Sequence, residues 1–285
     1  HELMGINFTD DSTILDVQVL GGERYQIEAQ YVLDGSGFGR VLPRLLDLEE
    51  PSCLPPRKAI FTHIEDHIDA SHFDRDKILI VIHPQQQDVW YWLIPFSDGR
   101  CSLGVVAAST YFDGYSEKSN LEIIRDAVAA SPDLTSLLAN ASFDTPVRAI
   151  KGYSCNVKSL WGKGDALLGN AGEFLDPVFS SGVTIAMKSA SLAVPLVSRQ
   201  LNEQLVNWDV EYAQPLKLGV NTFRAYVNAW YEGSLQQIIF SDDQAPAVRE
   251  MVCSILAGYA WDTKNPFVRE PERRLKLLAQ LCSGS

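Results

Sequence analysis

The segment Gly169-Asn170-Ala171-Gly172-Glu173-Phe174-Leu175-Asp176-Pro177-Val178-Phe179-Ser180-Ser181-Gly182-Val183 gathers residues suited to holding an anion. It follows the apolar strand-like Ala166-Leu167-Leu168 and runs into Thr184-Ile185-Ala186-Met187-Lys188, a helix expected to start near Ser180 or Ser181. Serine at a helix start caps free amide donors, and small residues beside it let another group come close. Free amides and the helix dipole together attract negative charge, so a phosphate, a halide or a flavin ring oxygen would fit. Glu173 and Asp176 flank Phe174-Leu175. Burial would raise the pKa of one of them toward acid–base work, while the plainer reading makes them caps.

Three other groups of residues could do chemistry. Asp34-Gly35-Ser36-Gly37-Phe38-Gly39-Arg40 follows a strand, but Arg40 stands where a dinucleotide fingerprint needs its third glycine, so a turn is the plain reading. Trp90-Tyr91-Trp92-Leu93-Ile94-Pro95 alternates as a strand. Trp90, Trp92 and Ile94 share one face, where two indoles make a wide apolar wall; Tyr91 and Leu93 take the other. His63, His67 and His72 with Glu65 and Asp66 resemble metal ligands by type, but a strand-then-loop context scatters them, and no metal is expected.

These groups must be positioned by elements the sequence also indicates. Ile14–Leu20, Tyr25–Ala29 and Tyr31–Asp34 read as strands. Ala59–Ile64, Ile78–Ile82, Val89–Ile94 and Cys101–Val106 read as an antiparallel sheet, with Ser97-Asp98-Gly99 as a hairpin turn. Leu121–Ala129 and Leu134–Ala139 are short helices, and Val147–Tyr153 a strand returning to the first domain. Beyond the opening segment the chain reads as helical over Val183–Leu201, Trp208–Glu232 with a break near Pro215, Pro246–Leu256 and Pro271–Leu281. The helix from Val183 is apolar nearly all round and is expected to be buried. Phe223, Tyr226, Val227 and Trp230 share a helical face and read as core.

Acidic residues outnumber basic ones, 36 to 24, for a formal charge of −12, which argues against nucleic acid or an anionic membrane as partner. The 5 cysteines are scattered and odd in number, as in a reduced cytoplasmic protein. No run is expected to span a bilayer, and no signal peptide opens the chain.

Trp90-x-Trp92-x-Ile94-Pro95 matches in full a signature of the flavin-dependent halogenases. Phe174-x-x-Pro177-x-x-Ser180-x-Gly182 matches their second signature, and Asp34-Gly35-Ser36-Gly37 resembles their loop beside FAD. The resemblance runs from about Tyr25 to Arg199, and more loosely beyond. It implies an α/β (α+β) flavoprotein with a partial FAD-binding Rossmann-like domain, an antiparallel substrate sheet and a helical C-terminal region. The implied domains are 1–50 and 151–200 for FAD, 51–150 for the sheet and 201–285 for the helices, which cover the substrate cavity in such enzymes. The implied reaction passes from a flavin hydroperoxide and a halide ion to hypohalous acid, which halogenates an aromatic or carrier-tethered substrate. FAD would be reduced by a separate flavin reductase, and a homodimer is allowed.

By the same resemblance, Asp34, Gly35, Gly37, Gly169, Asn170, Pro177 and Ser180 would bind the cofactor, and Ser181 and Gly182 the halide. Trp90 and Trp92 would separate flavin from substrate, with Glu173 a further catalytic candidate. Three departures stand out. No Gly-x-Gly-x-x-Gly follows a strand, so the chain is expected to be a fragment. The family's catalytic Lys belongs to that same upstream region. Asn170 stands where related flavoproteins carry an Asp against the ribityl chain, and it brings a hydrogen bond without charge. The alternatives are a non-halogenating flavin monooxygenase or reductase, and a flavin-binding protein without catalysis.

Overall fold

Alternating apolar and polar residues near the start of the chain form an antiparallel meander of β1 (Glu2–Phe8), β2 (Thr13–Gln18) and β3 (Arg24–Ala29). The computed structural model describes residues 1–241 and 245–283. β1 carries a register shift between Leu3 and Gly5, which breaks its alternation. The short β4 (Val32–Asp34), α1 (Val41–Leu45) and β5 (Glu49–Pro51) follow. The described chain divides into two units, His1–Leu54 with everything from Ser154 onward, and Pro55–Tyr153.

The second unit is built on β6 (Arg57–Glu65), β7 (Leu79–Ile82), β8 (Trp90–Pro95), β9 (Arg100–Ala108) and β10 (Arg148–Lys151). These form an antiparallel five-stranded sheet in the order β10-β6-β9-β8-β7. Gly99 turns the β8–β9 hairpin at φ 84°, open to glycine and costly for other residues. One face of the sheet is the core. Ile60, Ile64, Tyr91, Leu93, Leu103 and Val105 pack with Ile123, Ile124 and Ala127 of α2 (Asn120–Ala129) and Leu134 of α3 (Pro132–Leu137). Ser119 and Glu122 close a capping box on α2, and Ser131 caps α3. The strand at Val147–Tyr153 does not return to the first domain. Arg148–Lys151 pairs with Lys58–Phe61 at the sheet's edge, because its backbone ladder is satisfied there.

In the first unit, β11 (Cys155–Val157) pairs with β5, and β12 (Asp165–Leu167) lies parallel to β4. Helices α4 (Ser181–Leu201), α5 (Gln214–Tyr231), α6 (Ser234–Ile239), α7 (Pro246–Leu256), α8 (Pro266–Arg269) and α9 (Pro271–Ser283) follow. The expected break near Pro215 is a wide π-turn at Asp209–Ala213, closed by Gln214 N donating to Asp209 O. Proline has no N–H for the carbonyl four residues back, and its ring clashes there, so the helix widens rather than stops.

The expected burial of α4 is corrected. Ile185, Ser189, Ala193 and Leu196 are buried, but Val183 and Met187 are about 70% exposed and Val194 55%. Its length and composition also fit a bilayer span, against the expectation of none; its inner face instead packs within this unit.

Candidate functional site

The candidate site in the first unit begins where two parallel strands end side by side. Leu167 of β12 lies opposite Asp34 of β4, and Leu168 N donates to Asp34 O at 2.8 Å. Each strand runs straight into a glycine turn, Gly35–Gly39 and Gly169–Gly172, and the two turns pack against each other. Crevices beyond the carboxyl ends of parallel strands are where α/β folds take their ligands.

The first turn is shaped by Asp34. Its Oδ1 accepts from Ser36 N at 2.7 Å and its Oδ2 from Leu42 N at 2.8 Å, so the buried carboxylate is committed to its own loop. Gly35 and Gly37 are bare, with nothing within 4 Å of where a side chain would begin, and Gly37 has φ 61°. They leave an open concavity.

The second turn is tied down more heavily. Gly169 takes φ 53°, and a Cβ there would lie 2.8 Å from Ala186 Cβ of α4. Its N–H donates to the buried Ser189 Oγ at 2.9 Å. Asn170 lies next in the chain, its amide against Gly182 in the first turn of α4. Asn170 Oδ1 is buried with no hydrogen-bond partner.

The approach to α4 differs from the expected serine cap. Ser180 is exposed, sits in the left-handed region at φ 51°, and makes no capping side-chain bond. Asp176 instead caps the short turn Pro177–Phe179, accepting from Val178 N at 3.0 Å and from Tyr231 hydroxyl at 2.9 Å. Asp176 therefore has the capping role. The helix begins at Ser181, which is 95% buried, and among the described residues no side-chain cap is bonded to its first-turn amides. Those donors and the dipole of a 21-residue helix are left for an anion.

Glu173 is buried and ion-paired to Arg224 Nη2 at 2.8 Å. Burial pushes its carboxyl upward in pKa, opposed by Arg224, Lys217 and Arg40. Asp165 of β12 has a buried Oδ2 without a partner. Burial, with Asp34 nearby, raises its carboxyl to about 6. Sequence reasoning missed Asp165, Ser189 and Arg224. Ser189 alone left a signal, as a polar residue on the buried face set by Ile185, Ala193 and Leu196.

Trp90 and Trp92 belong to the other unit. Their rings are 5.9 Å apart on the sheet face opposite the Tyr91–Leu93 core. Trp92 Nε1 donates to Ser102 Oγ at 3.0 Å, and its indole covers Gly104, where a Cβ would come within 2.2 Å of the ring. Of the histidine group, Asp66 is held by Arg75 at 2.9 Å and by Cys101 Sγ–H, and no metal-binding cluster occurs among the described residues.

The glycine turns, the unpartnered Asn170 oxygen and the uncapped α4 fit the isoalloxazine and ribityl end of FAD with an anion beside it. A profile described as tryptophan halogenase matches residues 5–237. The chain is 26% identical over 289 residues to a 1H-pyrrole-2-carbonyl-[peptidyl-carrier protein] chlorinase of Pseudomonas fluorescens, covering 96% of this chain and 62% of that protein. It therefore spans about three-fifths of that relative's length. A crystal structure of a flavoprotein/dehydrogenase from Cytophaga hutchinsonii is similar at 36% identity and TM-score 0.93, over 99% of this chain and 69% of that one. The fold is also that of a flavin-dependent brominase, with TM-score 0.80 at 21% identity, over 96% of this chain and 69% of that one.

Proposed function

We propose, from the premise that this chain belongs to the tryptophan halogenase family, that it carries the flavin- and halide-facing part of an FAD-dependent halogenase. The observation that carries the reading is the uncapped start of α4 against the Asn170 turn. When bound, reduced FAD would activate dioxygen, and that activated oxygen would oxidise a halide. Gly35, Gly37, Gly169 and Asn170 hold the flavin, with Asp34, Pro177 and Ser180 setting the loop shapes around it. The amides of Ser181 and Gly182 hold the halide against the positive end of α4. In the sheet unit, the partly buried Trp92 indole, backed by the fully buried Trp90, presents the apolar wall against which an aromatic ring is held. Glu173, buried and ion-paired to Arg224, fixes the back of the turn rather than contacting the substrate. The chlorinase relative acts on a carrier-bound pyrrole, which supports an aromatic, carrier-tethered substrate here. A separate flavin reductase supplies the reduced cofactor.

One observation favours a second reading, a non-halogenating flavin oxidoreductase: the Cytophaga relative is described as a flavoprotein/dehydrogenase. Product mass separates the two. Incubation with FAD, a flavin reductase, NADH, bromide and a carrier-bound pyrrole is expected to give a product with the bromine isotope doublet. An oxygenated or reduced product formed equally without bromide would overturn the halogenase reading.

A further inference from the structure

We propose that the π-turn Asp209–Ala213 is a positioning device for the glycine turn Gly169–Gly172, acting through Tyr212 with Ser189 as its counterpart on α4; its consequence for cofactor binding rests on the function proposed above. The π-turn opens the helical run that continues as α5, with only Trp208 helical before it, and such wide turns are frequent at functional sites. Here it sets Trp208, Tyr212 and Leu216 on one buried face, with the Trp208 and Tyr212 rings 5.5 Å apart and edge to face. Trp208 is fixed in turn by stacking on Tyr31 at 5.2 Å and by its Nε1 donating to Gln200 Oε1 at 2.7 Å.

Held in this way, the Tyr212 hydroxyl donates to Leu167 O, the last carbonyl of β12 before the turn. Two residues on, Gly169 N donates to Ser189 Oγ, which itself donates to Ala186 O at 2.8 Å. Tyr212 and Ser189 are both fully buried. The strand end is thus clamped from two helices, one bond on either side of Leu168. The positive φ of Gly169 and the placement of Asn170 against Gly182 follow from that clamp. Among the described residues the Tyr212 hydroxyl bonds to Leu167 O and to neither the open glycines nor the first turn of α4, so it acts through the turn.

The test compares Tyr212→Phe and Ser189→Ala with Tyr226→Phe, whose equally buried hydroxyl has no partner. Hydrogen exchange of the 168–172 amides, thermal midpoint and FAD affinity are measured on each. Tyr212→Phe and Ser189→Ala are expected to speed exchange in that turn about tenfold, the scale of one net hydrogen bond. FAD affinity should fall to a similar extent and its bound absorbance spectrum change, while Tyr226→Phe leaves all three unchanged. Unaltered exchange in both variants would overturn the proposal. So would faster exchange with unaltered FAD affinity, since the turn would then be fixed without serving the flavin. If the parent protein binds no FAD, the proposed function falls, and the exchange rates alone still decide whether Tyr212 positions the turn. Should Tyr212→Phe fail to fold, Ser189→Ala carries the same test from the opposite helix.

Discussion

Asp165 shows how a single buried residue ties stability to pH. Its carboxyl titrates near 6 in the fold, against 3.8 when unhindered, because it is buried beside Asp34 with an unpartnered oxygen. The folded chain therefore holds a proton that the unfolded chain has lost between those values. Stability falls as pH rises through the window, and the cost is fully present above about 6. At about 1.4 kcal/mol per unit, the penalty is about 3 kcal/mol. Asp165→Asn removes it. The variant should unfold at higher denaturant concentration than the parent at pH 8 and at nearly the same concentration at pH 4. Glu173 gives the complementary case. Arg224→Met leaves its carboxylate buried and unpaired, which should cost about 3 kcal/mol at pH 8. The loss should shrink toward pH 4.5 as Glu173 takes up a proton, a trend that urea titrations at the two pH values would show. Equal loss at both would mean that Arg224 contributes by packing alone.

At the scale of elements, β8 was the most legible part of the chain. Its period-two alternation assigned Tyr91 and Leu93 to one face and both tryptophans to the other, and the register with β9 keeps that division. The Trp92 indole needs Gly104 beneath it. Gly104→Ala forces the ring to move and should cost about 1–3 kcal/mol, as other overpacked sites do. A lower thermal midpoint and a shifted tryptophan emission would register this; an unchanged emission maximum would contradict the close contact. The start of α4 was also legible within a residue, but the way it starts was not. A serine before a helix suggests a side-chain cap, whereas here the Pro177–Phe179 turn delivers Ser180 into a left-handed conformation that turns its hydroxyl to solvent. β1 escaped notice because the shift at Leu3–Gly5 disrupts its alternation. The π-turn at Asp209–Ala213 left only Pro215 as a trace, and a proline predicts an interruption without saying what form it takes.

Taken as a whole molecule, the chain pairs a mostly helical unit bearing two glycine turns with a sheet unit bearing two indoles. The two signature motifs were readable because each is local in sequence. The clamp from Tyr212 and Ser189 was not, since Tyr212 lies 45 residues from Leu167 and Ser189 lies 20 from Gly169. The central claim is that the start of α4 holds a halide beside a flavin. Asp at Gly182 tests it without threatening the helix, because an acidic residue in the first turn favours the dipole while occupying the anion's place. A Cβ there needs a shift of only a few tenths of an ångström from the Asn170 amide. The FAD-loaded protein is titrated with bromide and followed by flavin absorbance. The parent should give a saturable spectral change and the Gly182→Asp variant, equally stable and FAD-bound, none. A parent that shows no bromide response, or a variant that responds as the parent does, would contradict the account.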